Sequence, residues 1–259
     1  MDKQTRMQKL LERVKDQNGE SIRTLALQFG VTEMTIRRDV EQLKAAGLVR
    51  VVAGAVLYSG SAASALPEAE TYELAVHDGL RTAEKRRIGK LAASLVQPDD
   101  VLYFDVGTTT PHIIPFLPDG QGISAVCCTM NALTQLQKKA PERLIVAGGV
   151  YRPDLQMFES KQGVALLAST RISRAFISAA GVNAKLGVTC VNSCEVEAKC
   201  TVMKGALENI LVADSSKFGA VKPAFFAPLD AFQAVVTDSG LSAEWRDELQ
   251  QRGIRLYLA

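Results

Sequence analysis

Apolar residues recur at helical spacing in three segments near the start of the chain. Within each segment they fall mostly three or four positions apart, which places them on one face of a helix. The pattern predicts helices over residues 5–16, 22–29 and 32–46. The inward-facing positions are Met7, Leu10, Leu11 and Val14 in the first, Ile22, Leu25, Ala26 and Phe29 in the second, and Ile36, Val40 and Leu43 in the third.

Residues that begin and end helices separate these segments. Ser21 supplies a side-chain oxygen for the start of the second helix, and Gly30 permits a tight turn into the third. Asn18-Gly19 and Gly47 are expected to end the first and third helices. Two short helices joined by a brief turn that contains glycine form the layout of a helix-turn-helix.

The hydrophobic period changes after the third helix. Residues 48–52 and 56–58 are β-prone and flank Ala53-Gly54-Ala55, which predicts a small hairpin, or wing. The small and polar residues 59–64 are typical of a linker. We therefore predict three parts: a winged helix-turn-helix domain over 1–58, a linker over 59–81 and a larger domain over 82–259.

Short apolar runs alternate with helical patterns in the larger domain. A helix is predicted over residues 82–96, and strands that are continuously apolar follow it. This alternation is typical of a mostly parallel sheet covered by helices on both faces, so the fold class is α/β. The predicted strands are residues 101–104, 124–128, 144–147, 174–178, 209–213, 234–237 and 254–258.

Charge and composition narrow the class of protein. Residues 1–57 carry ten Lys or Arg and seven Asp or Glu, whereas the rest of the chain has a net charge of −1. A basic small end on a near-neutral body favours a nucleic-acid partner. The chain has no apolar run near the roughly 20 residues of a membrane helix and no signal peptide, which predicts a cytoplasmic protein with no membrane partner.

Cysteine usage argues against disulfides and metal. The five cysteines are an odd number, they form no CxxC pair, and only two histidines accompany them. We expect small buried hydrophobes rather than a disulfide framework, with no metal site and no cofactor.

The third predicted helix carries the candidates for DNA contact. With its apolar positions facing inward, Arg37 and Arg38 project outward or sideways near the helix N-terminus, where a recognition helix meets base edges. Arginine suits guanine and equally suits phosphate. The alternative is an ordinary helical bundle with solvated charges. The candidates are Thr32, Glu33, Thr35, Arg37, Arg38 and, in the wing, Arg50.

Polar or glycine-containing loops follow several predicted strands. Residues 105–111 offer backbone N–H groups and three threonines before a predicted helix, an arrangement that favours a phosphate. Lys217 offers a point charge or is a solvated lysine, and Glu195 either complements a helix dipole or binds a sugar hydroxyl. Each loop is alternatively only a turn. The effector candidates are Asp105, Gly107, Thr108, Thr109, Thr110, Asn131, Gly148, Gly149, Glu195, Lys199 and Lys217.

The segment VTEMTIRRDVEQLKAAGLVRVVAGA resembles the N-terminal signature of the DeoR family of bacterial transcription regulators. Ala53-Gly54 departs from it, because members usually carry two glycines in the wing. The resemblance extends from about Lys3 to Ala259. It includes motifs at 105–109, 187–189 and 214–217, which occur in the same order as in the family. It implies an effector domain similar in fold to ribose-5-phosphate isomerases and CoA transferases. By that resemblance Gly107, Thr108, Thr109 and Lys217 help to bind a phosphosugar.

The resemblance implies a regulator of a sugar or deoxyribonucleoside operon. Its expected binding partners are double-stranded operator DNA and a phosphorylated sugar. The segments FDVGTTTPHII, AVCCTMN, SAAGVN and SKFGAVKPA point within the family to deoxyribose-5-phosphate. Palindromic half-sites imply a homo-oligomer, a dimer or larger. We expect a repressor and not an enzyme. The alternatives are an activator that uses the same sites, or a phosphosugar isomerase with Glu195 or Glu197 as base.

Overall fold

A computed structural model of the chain describes residues 3–16, 20–45, 48–52, 55–58, 81–139 and 141–259. The chain divides into two compact units, Met1–Leu80 and Arg81–Ala259. Several predicted features lie outside the described residues. They are the helix ends at Asn18-Gly19 and Gly47, the wing turn at Ala53-Gly54, and the predicted linker except for Arg81.

The N-terminal unit contains the predicted helix-turn-helix and wing. Ser21 Oγ accepts a hydrogen bond from Thr24 N at 3.0 Å, and Gly30 adopts the left-handed conformation with φ 63°, as the turn requires. The strands form an antiparallel sheet in the order β1-β3-β2. The elements are α1 Lys3–Asp16, β1 Glu20–Ser21, α2 Ile22–Phe29, α3 Glu33–Ala45, β2 Val49–Val52 and β3 Ala55–Tyr58.

The core of this unit confirms the three apolar stripes. Ile36, Val40 and Leu43, which we call the buried stripe of α3, are all at most 5% exposed. They pack with Leu10 and Val14 of α1 and with the inner face of α2. Burial of these side chains fixes which face of α3 is turned to solvent.

A buried ion pair joins α1 to α3. Asp39 accepts hydrogen bonds from Arg6 Nε at 2.6 Å and from Arg6 Nη2 at 3.2 Å, and the side chains are 2% and 12% exposed. The bidentate geometry sets the position of α3 against α1. Asp39, which follows two arginines in the sequence, therefore has a structural role that the pattern did not reveal.

Asp39→Ala is expected to destabilise the N-terminal unit by about 3 kcal/mol, because it leaves the Arg6 guanidinium without its buried partner. Hydrogen exchange of the α1 and α3 amides in the full chain measures the effect. Glu41→Ala is the control, since its pair with Lys44 at 3.8 Å is exposed and is worth about 0.5 kcal/mol or less. Equal protection in both variants would contradict the structural role of Asp39.

The second unit is built on a seven-stranded sheet. Its strand order is β15-β14-β12-β9-β4-β5-β6, and each neighbouring pair is parallel. The strands are β4 Val101–Phe104, β5 Ser124–Cys127, β6 Arg143–Val146, β9 Ile172–Ser178, β12 Ala206–Val212, β14 Ala234–Thr237 and β15 Arg255–Leu258. The helices are α4 Thr82–Ala93, α5 Met130–Lys139, α6 Lys161–Ser169, α7 Val196–Gly205 and α8 Ala243–Gln251.

Central strands bury both faces, as the continuously apolar runs predicted. Phe104, Phe176 and Ile210 are fully buried and belong to one large core that α4 and α5 help to cover. The α/β architecture is thus confirmed. Across the described residues, no helix has the length and apolarity needed to cross a membrane.

The structure corrects several sequence predictions. The helix expected after the Gly107 loop is a short 3-10 helix, Thr110–Phe116. Pro111 is tolerated in its first turn, but Pro115 inside it has no N–H for an α-helical hydrogen bond. Helix α4 ends at Ala93 rather than at 96, since the following N–H groups make i→i+3 bonds. Six short strands among the described residues were not predicted. They are β1 of the N-terminal unit, the hairpin β7 Val150–Arg152 and β8 Met157–Glu159, and the antiparallel sheet of β10 Gly181–Asn183, β11 Gly187–Cys190 and β13 Ala224–Ala227.

All five cysteines are free. Cys127, Cys128 and Cys190 are buried as expected, whereas Cys194 and Cys200 are half-buried. Burial raises the pKa of Cys127 to about 11 and that of Cys128 to about 12. These thiols therefore stay protonated and behave as small apolar side chains at neutral pH.

Candidate DNA-binding and effector-binding sites

The outward surface of α3 carries the predicted DNA-contact residues. Arg37 and Arg38 are exposed, and so is Glu33 in the first turn. Thr32 caps the helix, because its Oγ1 accepts from Thr35 N at 3.2 Å and lies 3.0 Å from Thr35 Oγ1. The two threonines thus shape the helix N-terminus.

The sixth DNA-contact candidate, Arg50, lies in β2 of the wing. The wing and α3 belong to the same compact unit. All six predicted residues therefore lie on α3, at its N-terminal cap or in the wing, the elements that a winged helix-turn-helix presents to DNA.

The sheet of the second unit has a topological switch point between β4 and β9. From β4 the chain proceeds to β5 and β6 on one side, and β9, β12, β14 and β15 then fill the other side. In open α/β sheets, ligands bind beyond the carboxyl ends of the strands at such a point. Asp105 directly follows β4, and Ser178 ends β9.

Asp105 is fully buried and held from three directions. Its Oδ2 accepts from Lys199 Nζ, from Ser178 N at 2.9 Å and from Ser178 Oγ at 3.2 Å. Its other oxygen, Oδ1, is buried with no hydrogen-bond partner among the described residues. A buried carboxylate oxygen without a donor is costly, so this atom is the strongest candidate acceptor at the switch point.

Lys199 is fully buried beneath this site and does not reach solvent. Its ammonium also lies 3.6 Å from Glu195 Oε2 and donates to Ser178 O at 3.3 Å. Burial disfavours the charged ammonium, but Asp105 and Glu195 raise the pKa of Lys199 above its usual range. For Glu195, burial raises the pKa of the carboxyl group above its usual value, although the nearby Lys199 lowers it. The structure thus brings three predicted residues together as one buried charge cluster.

The loop after β4 is suited to an anion. The backbone N–H groups of Gly107, Thr108 and Thr109 donate no hydrogen bond within the described part of the chain. Asn131 Nδ2 donates to Gly107 O at 3.2 Å, and a Cβ on Gly107 would lie 2.5 Å from Ser178 Oγ. Asn131 therefore positions the loop, and the close approach to β9 requires glycine.

Thr110 has a different place from its neighbours. It is fully buried and its Oγ1 donates to Asp105 O at 2.7 Å. That hydroxyl joins the two ends of the loop and is not presented to solvent.

The loop after β12 carries Lys217. Asp214 is 1% exposed, and its carboxylate lies 3.9 Å from Lys217 Nζ and 3.7 Å from Arg81 Nε. Gly219 N donates to Val182 O at 2.8 Å, which joins this loop to β10, the short strand that follows β9 in the chain. Lys217 is partly exposed, so its ammonium is accessible.

Asp238 fixes the start of the same loop. Its carboxylate accepts from Ser215 N at 2.7 Å, from Ser215 Oγ at 2.9 Å and from Gly240 N at 2.9 Å. Burial alone would raise the pKa of Asp238, but these hydrogen bonds hold it below its usual value. The carboxylate remains charged and organises the loop that presents Lys217.

Gly148 and Gly149 lie on the opposite side of the switch point, after β6. Gly148 O accepts from Ser160 Oγ at 2.7 Å, and a Cβ on Gly149 would lie 2.3 Å from Glu159 O. Gly149 therefore permits the close approach of β8, whereas a Cβ on Gly148 would meet no atom within 4 Å among the described residues. Beside them is a cavity of about 720 Å³ whose lining includes Cys128, Arg152, Ser160, Lys161 and Cys194.

Strand spacing separates the predicted effector residues into two groups. Four strand intervals lie between β12 and β6, or about 19 Å at 4.8 Å per interval. A pentose phosphate has about eight bonds from end to end and spans no more than roughly 12 Å at 1.5 Å per bond. One such ligand at the β4 loop therefore reaches toward Lys217 or toward Gly148, but not both.

Sequence patterns missed several contributors to the site. Ser178 ends an apolar strand, and Arg81 was assigned to the linker, so neither carries a local signal. Asp238 follows a strand like the other candidates and was overlooked for want of a glycine-rich loop. The carboxyl-end rule applied to every strand would have found Ser178 and Asp238.

Two family models match the chain. The DeoR-like helix-turn-helix domain matches residues 6–60, and the DeoR C terminal sensor domain matches residues 80–239. The chain belongs to the DeoR family. This confirms the resemblance drawn from the sequence.

Curated relatives of this DeoR-family chain extend over almost its full length. The deoxyribose operon repressor of Escherichia coli (strain K12) is 35% identical over 254 residues, 98% of each chain. The HTH-type transcriptional regulator IolR of Bacillus subtilis (strain 168) is 27% identical over 98% of each chain. Both relatives are named as regulators of transcription, which confirms the expectation of a transcription regulator.

Among solved structures, ribose 5-phosphate isomerase A from Methanocaldococcus jannaschii aligns with 52% of this chain and 53% of its own. The sequence identity is 16% and the TM-score is 0.36.

Lys199→Met is expected to destabilise the sensor unit by about 3–5 kcal/mol, because it leaves Asp105 buried without its cation. Urea unfolding followed by the fluorescence of Trp245, the single tryptophan of the chain, measures the change. Lys204→Met, at an exposed position of the same helix, is the control. The double variant Asp105→Asn/Lys199→Met should recover at least half of the loss. Equal loss in the single and double variants would show that charge pairing is not the cause.

Proposed function

We propose that the chain is a cytoplasmic, homo-oligomeric repressor, a dimer or larger, that binds operator DNA through α3. Binding of a phosphorylated sugar releases this repressor from the DNA. The observation that carries the proposal is the pairing of two sites in one chain. One unit exposes Arg37 and Arg38 on α3, and the other has loop N–H groups at a topological switch point that donate no hydrogen bond to any described residue.

The DNA-binding part of the proposal rests on the N-terminal unit. Its α3 is held from behind by the buried stripe and by the Arg6–Asp39 pair, so that its opposite face is free to enter a major groove. Thr32 and Thr35 lie at the helix N-terminus, where a phosphate is favoured. Arg50 in the wing would contact the sugar-phosphate backbone of the DNA. An oligomer pairs two such helices with two half-sites.

For the effector we propose a phosphate above the β4 loop, bound by the N–H groups of Gly107, Thr108 and Thr109. Lys217 approaches from the β12 side, because its loop follows β12 and is hydrogen-bonded to β10. A sugar hydroxyl donates to Asp105 Oδ1, the buried oxygen that has no partner among the described residues. Lys199 and Glu195 position Asp105, whereas Gly148 and Gly149 shape the neighbouring cavity.

The proposed inducer is deoxyribose-5-phosphate. The similarity to the deoxyribose operon repressor of Escherichia coli supports this choice. Coupling between the two sites must be reciprocal. If the sugar weakens DNA binding by a given factor, DNA weakens the binding of the sugar by the same factor. Fluorescence anisotropy on DNA from upstream of the chain's own gene tests the whole proposal.

Arg37→Ala and Arg38→Ala are each expected to weaken operator binding by about 1–3 kcal/mol per contact, with the sensor site unchanged. Anisotropy at fixed salt measures DNA affinity, and calorimetry measures binding of the phosphosugar. Lys204→Ala removes the same charge from the sensor unit and should leave DNA affinity unchanged. Wild-type operator affinity in both arginine variants would refute the recognition-helix assignment.

Lys217→Ala is expected to weaken the binding of deoxyribose-5-phosphate by about 1.5–3 kcal/mol, the contribution of a charged hydrogen bond. DNA affinity in the absence of sugar should be unchanged. Lys161→Ala, in the cavity beside Gly148, tests the other side of the switch point. Lys185→Ala is the exposed control. If Lys161→Ala weakens the binding of the sugar and Lys217→Ala does not, the ligand occupies the cavity and the Lys217 assignment is wrong.

A further inference from the structure

A large apolar side chain lies among the charged residues of α3. Met34 is 60% exposed in the first turn of this helix, between Glu33 and Thr35. It makes no contribution to the core that the buried stripe builds. Its exposure therefore has no explanation in the stability of the N-terminal unit, and it was not among the residues predicted to contact DNA.

Met34 lies close to the centre of the outward face. At about 100° per residue, it is roughly 150° around the helix axis from the centre of the buried stripe, and Arg38 is roughly 165° from it. Arg37 is displaced to the side, at about 95°. Met34 and Arg38 are therefore stacked one turn apart on the same line, with Met34 nearer the helix N-terminus.

That position is where a recognition helix contacts base edges. The thioether of methionine is a poor hydrogen-bonding group, so Met34 has little to offer the donors and acceptors of the bases. The apolar group in the major groove is the C5-methyl of thymine. The flexible methionine chain adapts readily to such a surface.

We propose that Met34 is a specificity-determining residue that packs on the C5-methyl group of a thymine in each operator half-site. The inference rests on the proposed DNA-binding function and adds to it the base that this part of α3 reads. The cationic side chains of Arg37 and Arg38 beside Met34 attract a polyanion, which favours DNA over an apolar protein partner for the same surface.

The experiment uses the full chain and an operator duplex in which single thymines are replaced in turn by deoxyuridine. This change removes one methyl group and leaves every hydrogen-bonding group of the base intact. Burial of a methyl-sized group predicts a loss of about fourfold in affinity per half-site at the contacted position. Anisotropy with wild type, Met34→Ala and Leu27→Ala measures the coupling. Leu27, 76% exposed on α2, is the matched control for loss of exposed apolar surface.

The expected result is a position at which wild type and Leu27→Ala lose affinity on deoxyuridine and Met34→Ala does not. Equal losses for wild type and Met34→Ala at every position would overturn the inference while leaving DNA binding intact. Full affinity of Met34→Ala for the thymine duplex would overturn it as well. Absence of DNA binding by the wild-type chain would instead reject the proposed function, and the inference with it.

Discussion

The ion pair between Lys199 and Asp105 lies fully buried at the point where the strand order of the sensor unit reverses. Burying two charges is costly, and the cost is offset only when both are well paired. Ser178 and Glu195 complete that pairing from β9 and from the residues before α7. The cluster thus ties the end of β4 to the end of β9, and it fixes the start of the loop of residues 105–110, for which we propose anion binding.

This constraint explains why the candidate site is central and not peripheral. With Asp105 held by Lys199, one carboxylate oxygen is used by the protein and the other has no partner among the described residues. The loops that follow the outer strands reach the same edge of the sheet, but strand spacing keeps those on the two sides too far apart for one small ligand. We therefore propose the side of Lys217, whose loop is hydrogen-bonded to β10.

Hydrophobic period and capping residues predicted the three N-terminal helices and every strand of the central sheet, because these depend on local sequence and on burial of whole faces. The short strands β1, β7, β8, β10, β11 and β13 were not predicted, since two to four residues carry too weak a pattern. Pro115 argues against an α-helix after the Gly107 loop, because it has no N–H to donate inside the helix. The roles of Asp39, Ser178 and Lys199 depend on partners more than thirty, seventy or ninety positions away, which local sequence does not show.

We propose that the chain couples operator binding by α3 to the binding of a phosphosugar at the switch point. Fluorescence anisotropy on operator DNA at fixed salt, with deoxyribose-5-phosphate and unphosphorylated deoxyribose titrated separately, measures this coupling. We expect the phosphorylated sugar to release DNA and the unphosphorylated sugar to leave it bound. Release by both sugars alike would contradict the phosphate site, and release by neither would contradict the proposed coupling.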